Sequence, residues 1–210
     1  MVKGEVMNIG KTKCRIAVAL FAISSGLAVA NPGDFDETYN GVGFTRDAYP
    51  GLDDRGDMAL HSSGEIVTIM MGRGNSGLAL WRHLPDGTLD TRFGGTGRVL
   101  PPTPPDYGGS QRITIDNFNR ILFVGNGSAG HIMGRLNFDG TLDPSFGTNG
   151  TVQIPFGGTP STVQGIAVQS DNKIVGAGGT SGPSRFIAYR LDETGQLDPT
   201  FGEAVSFSLK

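Results

Sequence analysis

The chain has 210 residues, a formal net charge of −3, and 34 glycines, about twice the usual share. Only 18% of residues are charged and no basic cluster stands outside the N-terminus, which excludes nucleic acid and anionic lipid as natural partners. The single cysteine, Cys14, lies in the N-terminal segment, so the remainder offers no disulfide, thiolate metal site or cysteine nucleophile.

Residues 1–30 read as a secretory signal peptide. Lys11, Lys13 and Arg15 precede the apolar run Ile16–Ile23, and Ala28-Val-Ala30 supplies small residues for cleavage. Met7 serves equally well as a start. Ser24, Ser25 and Gly26 cut the apolar run short of the ~20 residues of a membrane span. Removing 1–30 takes away Lys3, Lys11, Lys13, Arg15 and Glu5, leaving 13 basic and 19 acidic residues and a net charge of −6. No later stretch is apolar enough to span a bilayer. Export without disulfides fits a bacterial envelope, so a secreted, periplasmic or cell-envelope location is expected.

From residue 31 the chain repeats itself. Phe35-Asp-Glu-Thr-Tyr-Asn40 is a worn copy of Leu89-Asp-Thr-Arg-Phe-Gly94, Leu142-Asp-Pro-Ser-Phe-Gly147 and Leu197-Asp-Pro-Thr-Phe-Gly202. The steps between Phe35, Leu89, Leu142 and Leu197 are 54, 53 and 55 residues, a period that marks a stacked or radial repeat. The repeats fill 31–210 with units at about 44–97, 98–150 and 151–202 and a partial strand at 203–210.

The first unit places strand residues at Met58, Leu60, Ile66, Val67 and Ile69, then Leu78–Arg82, with a Pro85-Asp-Gly87 turn. The second follows with Ile113, Ile115, Ile121, Phe123 and Val124, then His131–Leu136 and Phe138-Asp-Gly140. The third reads Thr151–Phe156 as its first strand, then Val163–Gln169, a Ser170-Asp-Asn172 turn, Lys173–Gly178 and Arg185–Leu191. Four short antiparallel strands per unit is the pattern of a propeller blade. Asp90, Asp143 and Asp198 are set to cap the linker backbone, Phe93, Phe146 and Phe201 to bury a ring between units, and Arg82, Arg135 and Arg190, eight residues before each Asp, to pair with linker carboxylates or carbonyls.

Leu-Asp-x-[Ser/Thr]-Phe-Gly-x-x-Gly, Lys173-Ile-Val-x-Ala-Gly178 and Phe186-x-x-x-Arg-Leu191-x-x-x-Gly195 together resemble the delta-60 repeat. The resemblance covers residues 33–202. It is closest in the third unit and loosest in the first, where Thr91-Arg92 replaces Pro-Ser and His83 replaces leucine. It implies an all-β, β-propeller-like array of about three four-stranded blades in an exported bacterial protein, and it brings no catalytic residue with it.

Closed propellers have four to eight blades. If each open end face is ~400 Å², covering it is worth on the order of 10 kcal/mol. Three arrangements are therefore open: two copies closing a six-bladed ring as a homodimer, a piece of a longer repeat protein, or an arc capped by its own loops, such as Pro101–Tyr107.

Candidate chemistry is sparse. His61, His83 and His131 fall at inequivalent repeat positions without metal-ligand spacing and read as solvated or core-edge residues. Asp53, Asp54 and Asp57 offer clustered oxygens in a solvated acidic turn. Gly72–Gly77 and Gly125–Gly130 read as hairpin loops, and Asn126-Gly-Ser128 and Asn149-Gly-Thr151 match a glycosylation sequon of little weight in a bacterium. Trp81, Asp106 and Tyr107 depart from the repeat and are contact candidates, with Trp81 read first as a large blade-packing residue. No catalytic, cofactor-binding or metal residue is assigned. The expected function is non-catalytic: a binding or scaffold module for an unidentified protein or glycan. The alternatives are a propeller-type hydrolase or lyase acting on an extracellular glycan or small molecule, which requires His61, His83 or His131 to converge near carboxylates, and a fragment of a longer repeat protein.

Overall fold

The computed structural model describes residues 33–45, 52–72, 78–102, 108–156, 161–181 and 184–202. The expected signal peptide, Asp106 and Tyr107, most of the Gly72–Gly77 loop and the 203–210 strand lie outside these residues. The compact unit begins at Phe35.

Eleven strands form three antiparallel sheets. The first contains β1 (Leu52–Leu60), β2 (Ile66–Gly72), β3 (Leu78–His83) and β4 (Arg98–Val99), in that order. The second contains β5 (Gly108–Ile115), β6 (Ile121–Gly127), β7 (Gly130–Leu136) and β8 (Thr151–Pro155). The third contains β9 (Ser161–Val168), β10 (Ile174–Ser181) and β11 (Ser184–Leu191). The leading strands are neighbours, with β5 set between β1 and β9, so the sheets fan out from one side as blades do.

The β1–β2, β5–β6 and β9–β10 connections share one turn. His61, Asp116 and Gln169 each donate an N–H to the carbonyl four residues on. The left-handed position is Gly64 in the first copy and Asn119 and Asn172 in the others, at φ 61° and 62°. Asparagine tolerates that region because its short side chain bonds locally.

One expectation is corrected. Thr151–Phe156 does not begin the third blade: β8 pairs with β7, from Gly130↔Pro155 to Gly134↔Thr151. β4 likewise returns onto β3. The sequence repeat and the sheet are out of phase by one strand, and the blades run from β1 to β4 and β5 to β8 rather than over 44–97 and 98–150. The cause is the linker's closing turn. Gly97 and Gly150 adopt φ of 80° and 88°, and their carbonyls accept the Arg82 and Arg135 N–H groups at 3.0 and 2.9 Å, laying the next residues beside the strand just completed.

Two cores lie between successive sheets. Val67, Ile69, Leu78 and Leu80 pack on Ile121, Phe123, Ile132 and Leu136; Leu122, Val124 and Met133 pack on Val163, Ile174, Tyr189 and Leu191. Cross-strand pairs trade volume. Phe123 lies over Gly134, where a Cβ would collide with its ring, whereas Tyr189 lies over Gly176 in the third sheet. The first sheet pairs Thr68 with Trp81, which is buried in β3.

Candidate functional site

The most elaborate chemistry in the chain is the repeated linker node. Arg82 Nε donates to Asp90 Oδ2 at 2.9 Å, Arg135 Nε to Asp143 Oδ2 at 2.8 Å, and Arg190 Nε to Asp198 Oδ2 at 2.9 Å. Each guanidinium lies on the linker aromatic, 4.8 Å from the Phe93 centroid, 4.5 Å from Phe146 and 4.8 Å from Phe201. The second carboxylate oxygen caps the linker backbone two residues on, at Arg92, Ser145 and Thr200. The worn copy has the same cap, from Thr38 to Asp36. Its Asn40, at φ 50°, occupies the place of Gly94 and Gly147 at 61° and 55°.

Each internal node also joins two blades. Arg82 Nη1 donates to the Phe138 carbonyl, and Gly94 N–H to Asp139 O at 2.8 Å. Arg135 Nη1 donates to Glu193 O at 2.5 Å, and Gly147 N–H to Thr194 O at 2.8 Å. The ring of each linker covers the next blade's turn glycine: a Cβ at Gly140 would come within 2.9 Å of Phe93, and one at Gly195 within 2.9 Å of Phe146.

A second cation attends every node. Lys173 Nζ is 3.2 Å from Asp198, and Arg120 Nη1 is 3.5 Å from Asp143. The equivalent residue in the first blade is Glu65, and the cation is instead Arg92, 2.8 Å from Asp90 and 3.5 Å from Glu65. Arg92 thus fills the place of the Ser145 and Thr200 hydroxyls, which explains the Thr91-Arg92 departure from the repeat. Arg92 hydrogen bonds, with help from Arg82, bring Asp90 down to about 2. Burial raises Asp143, but Ser145 and Arg135 outweigh it and hold the group below its ordinary value. Desolvation pulls Arg82 and Arg135 down, against their aspartates, without neutralising them. Arg82 Nη2 is buried without a hydrogen-bond partner among the described residues, but every carboxylate in the three nodes is paired and capped, as in a structural ion pair.

The three histidines are buried rather than solvated, and they do not converge. His61 sits between the first two sheets, edge-on to Phe138 at 5.1 Å, and its pKa is lowered by burial and by Arg82. His131 is fully buried between the second and third sheets, edge-on to Phe156 at 4.9 Å, with Nδ1 3.2 Å from the Tyr189 hydroxyl. Its Nε2 faces Gly178 and the Thr162 backbone without completing a hydrogen bond, and burial brings its pKa down to about 4. His83 is buried on β3. None of the three histidines, nor the buried Tyr189, whose phenol burial pushes up, lines the cleft between β8 and the turn after β11.

Asp57 Oδ1 accepts Met58 N–H at 2.9 Å and Oδ2 accepts Ile113 N–H at 3.1 Å, tying β1 to β5. No group of three potential metal ligands occurs among the described residues. Asn126 Oδ1 accepts Val163 N–H at 2.8 Å, so that sequon asparagine joins the second and third sheets. Gly125–Gly130 forms the β6–β7 hairpin, closing at Gly127↔Gly130.

One concave feature among the described residues is a cleft of about 480 Å³ between β8 and the turn after β11. Ser145, Thr148, Gln153, Thr194, Gln196 and Leu197 line it. Its exposed amides and hydroxyls can exchange hydrogen bonds with a polar ligand, and it contains no acid, base or nucleophile pair. No helix among the described residues is long and apolar enough to cross a membrane.

Residues 169–201 match a family model described as a β-propeller domain of unknown function, DUF5122. The match runs over β10, β11 and the following linker node. No curated protein matches the chain. With the sheet order above, the match makes the chain a partial β-propeller of all-β class.

Proposed function

We propose that this chain is an exported bacterial binding or scaffold module built from delta-60 repeats, without catalytic activity of its own. One observation carries the reading: the buried Arg, Asp and Glu side chains serve repeated blade-to-blade nodes, while the open cleft is lined by amides, hydroxyls and aliphatic side chains, with no charged group. Catalytic groups would instead be held apart from the repeat template and aimed at one cavity. Export is supported by the order of charge, apolar run and small residues in 11–30. The ligand that fits the cleft is an uncharged polar chain, a glycan or an extended peptide.

The test is a glycan and envelope-protein binding panel run on the wild-type chain and on Gln153→Ala and Gln196→Ala. Binding lost in both variants with the fold retained supports the module. Bond cleavage during the panel, abolished by His61→Ala or His131→Ala with the fold retained, overturns the non-catalytic reading in favour of a hydrolase or lyase.

A further inference from the structure

The blade joint occurs at both internal boundaries, and one half of it recurs at each end of the array. The half that receives is a turn with two consecutive carbonyls followed by glycine: Phe138-Asp139-Gly140 and Glu193-Thr194-Gly195. The first blade has the same turn, Pro85-Asp86-Gly87. The half that donates is the Arg guanidinium, the linker ring and the N–H after it. At the C-terminal end this half is Arg190, Phe201 and Gly202.

The receiving turn of the first blade is already filled from within the chain. Asn40 N–H donates to Asp86 O at 2.5 Å, where Gly94 and Gly147 donate to Asp139 and Thr194. Tyr39 takes the place of Phe93 and Phe146: a Cβ at Gly87 would meet Asn40 Cβ at 2.9 Å and Tyr39 Cδ1 at 3.0 Å. The filling is a reduced version, because Ala28 stands eight residues before Asp36, where the other copies carry arginine.

At Arg190 the donating half has no receiving turn against it among the described residues. Arg190 is 17% exposed, against 0% for Arg82 and 2% for Arg135. Its Nη1 reaches Gln169 of its own sheet at 3.4 Å, whereas the other two arginines reach the next blade's turn. Phe201 is half-buried while Phe93 and Phe146 are fully buried, and a Cβ at Gly202 would meet nothing within 4 Å.

We infer that residues 35–44 are a built-in plug that prevents copies of this chain from joining head to tail. The joint it blocks places Arg190, Phe201 and Gly202 of one copy on Pro85-Asp86-Gly87 of the next. The two internal joints give the geometry. The occupant that fits the open donor end is a second copy, because its own Asp-Gly turn carries the required carbonyls once Tyr39 and Asn40 leave. A ring of two copies, or a longer chain of them, is then a plug-released state and not the resting one.

The test is light scattering of the full chain over a wide concentration range, with circular dichroism on the same samples. Asn40→Pro removes the donated N–H and cannot adopt the left-handed backbone, so it ejects the plug without altering a blade. Tyr39→Ala is the milder variant. Relative to the wild type, Asn40→Pro is expected to show masses of two chains or more that rise with concentration. Tyr39→Ala should shift the same way at higher concentration, and Arg190→Ala added to Asn40→Pro should restore the wild-type mass. Three results each overturn the inference. They are folded plug variants with unchanged mass, assembly that survives Arg190→Ala, and loss of the sheet signal in both plug variants, which would make the segment part of the fold. Wild-type assembly that already depends on Arg190 overturns it as well.

Discussion

Stability should fall as pH drops from about 6.5 to about 4, and His131 should be the main reason. The imidazole is fully buried between two sheets, with Phe156 and Tyr189 against it and no carboxylate partner. Desolvation disfavours the charged ring and brings its pKa down to about 4 from the ordinary 6.5. The unfolded chain therefore takes up the proton first, starting near pH 6.5. The folded chain takes it up only near pH 4, so stability is lost between these values and the loss is complete below them. The interval corresponds to about 3 kcal/mol, a large share of the 5–15 kcal/mol of an ordinary domain. The assay is urea unfolding at a series of pH values from 7 to 4, on wild type and His131→Phe. Phenylalanine keeps the ring packing and already occupies the equivalent position in β11 as Phe186. It strands the Tyr189 hydroxyl, a loss of about 1–3 kcal/mol at every pH. His61, also lowered by burial, contributes a residual slope in the same direction. The stability advantage of wild type over His131→Phe should shrink steadily from pH 6.5 and vanish or reverse by pH 4. Parallel curves for wild type and His131→Phe would refute the reasoning.

Three further outcomes follow from the nodes. Asp143→Asn leaves Arg135, 2% exposed, without its counterion and should cost about 3–5 kcal/mol in chemical unfolding; Asp198→Asn, beside the wetter Arg190 and Lys173, should cost clearly less. Glu65→Arg crowds a third cation onto Asp90, and Arg92→Ser leaves buried Glu65 unbalanced, so each single change should lower the melting temperature while the double change recovers most of the loss. Gly140→Ala forces a Cβ against Val99 and Phe93 at φ 91° and should cost about 2–4 kcal/mol, whereas Gly202→Ala, at φ 64° in open space, should cost only about 1 kcal/mol. Equal losses at the two glycines would mean that the joint contributes nothing beyond local backbone strain.

Much of this architecture was legible because repetition separates construction from individuality. Arg82, Arg135 and Arg190 recur at a fixed offset from an aspartate, so a pairing could be read before any geometry was known, and Asn172 announced its left-handed turn. The phase of the sheets was not legible. Thr151–Pro155 reads as a strand whether it opens a blade or closes one, and the choice rests on the Gly150 carbonyl bonding back to Arg135. The second cations were hidden for a related reason. Glu65 and Arg92 are 27 residues apart and look like two unrelated departures until the fold shows Arg92 bridging the Glu65 and Asp90 carboxylates. The histidines read as solvated or core-edge residues, and their burial could not be told from sequence because their repeat positions differ: His61 stands where the other blades have Asp116 and Gln169, and His131 where they have Leu78 and Phe186. Gly134 and Gly176 likewise gain meaning only once Phe123 and Tyr189 are seen to cross from the neighbouring strand.

The choice of a buried ion pair for the joint carries a consequence for the whole array. A hydrophobic contact of the same size would hold two blades together at least as well, because burying charge costs about what the pairing returns. What the Arg–Asp node adds is registration. Arg135 can satisfy Asp143, Ser145 and the Glu193 carbonyl together only when the next blade's turn stands at one position. A blade that slides by one residue takes the Glu193 carbonyl away from Arg135 Nη1 and leaves that edge of the guanidinium dry. The array is therefore a one-dimensional stack in which each blade is fixed by its neighbour, and its two ends are unlike. The first turn is occupied by a reduced linker, and the Arg190 node is half-wet. Perturbations should be felt most at the two internal joints and least at Arg190, whose node is half-solvated.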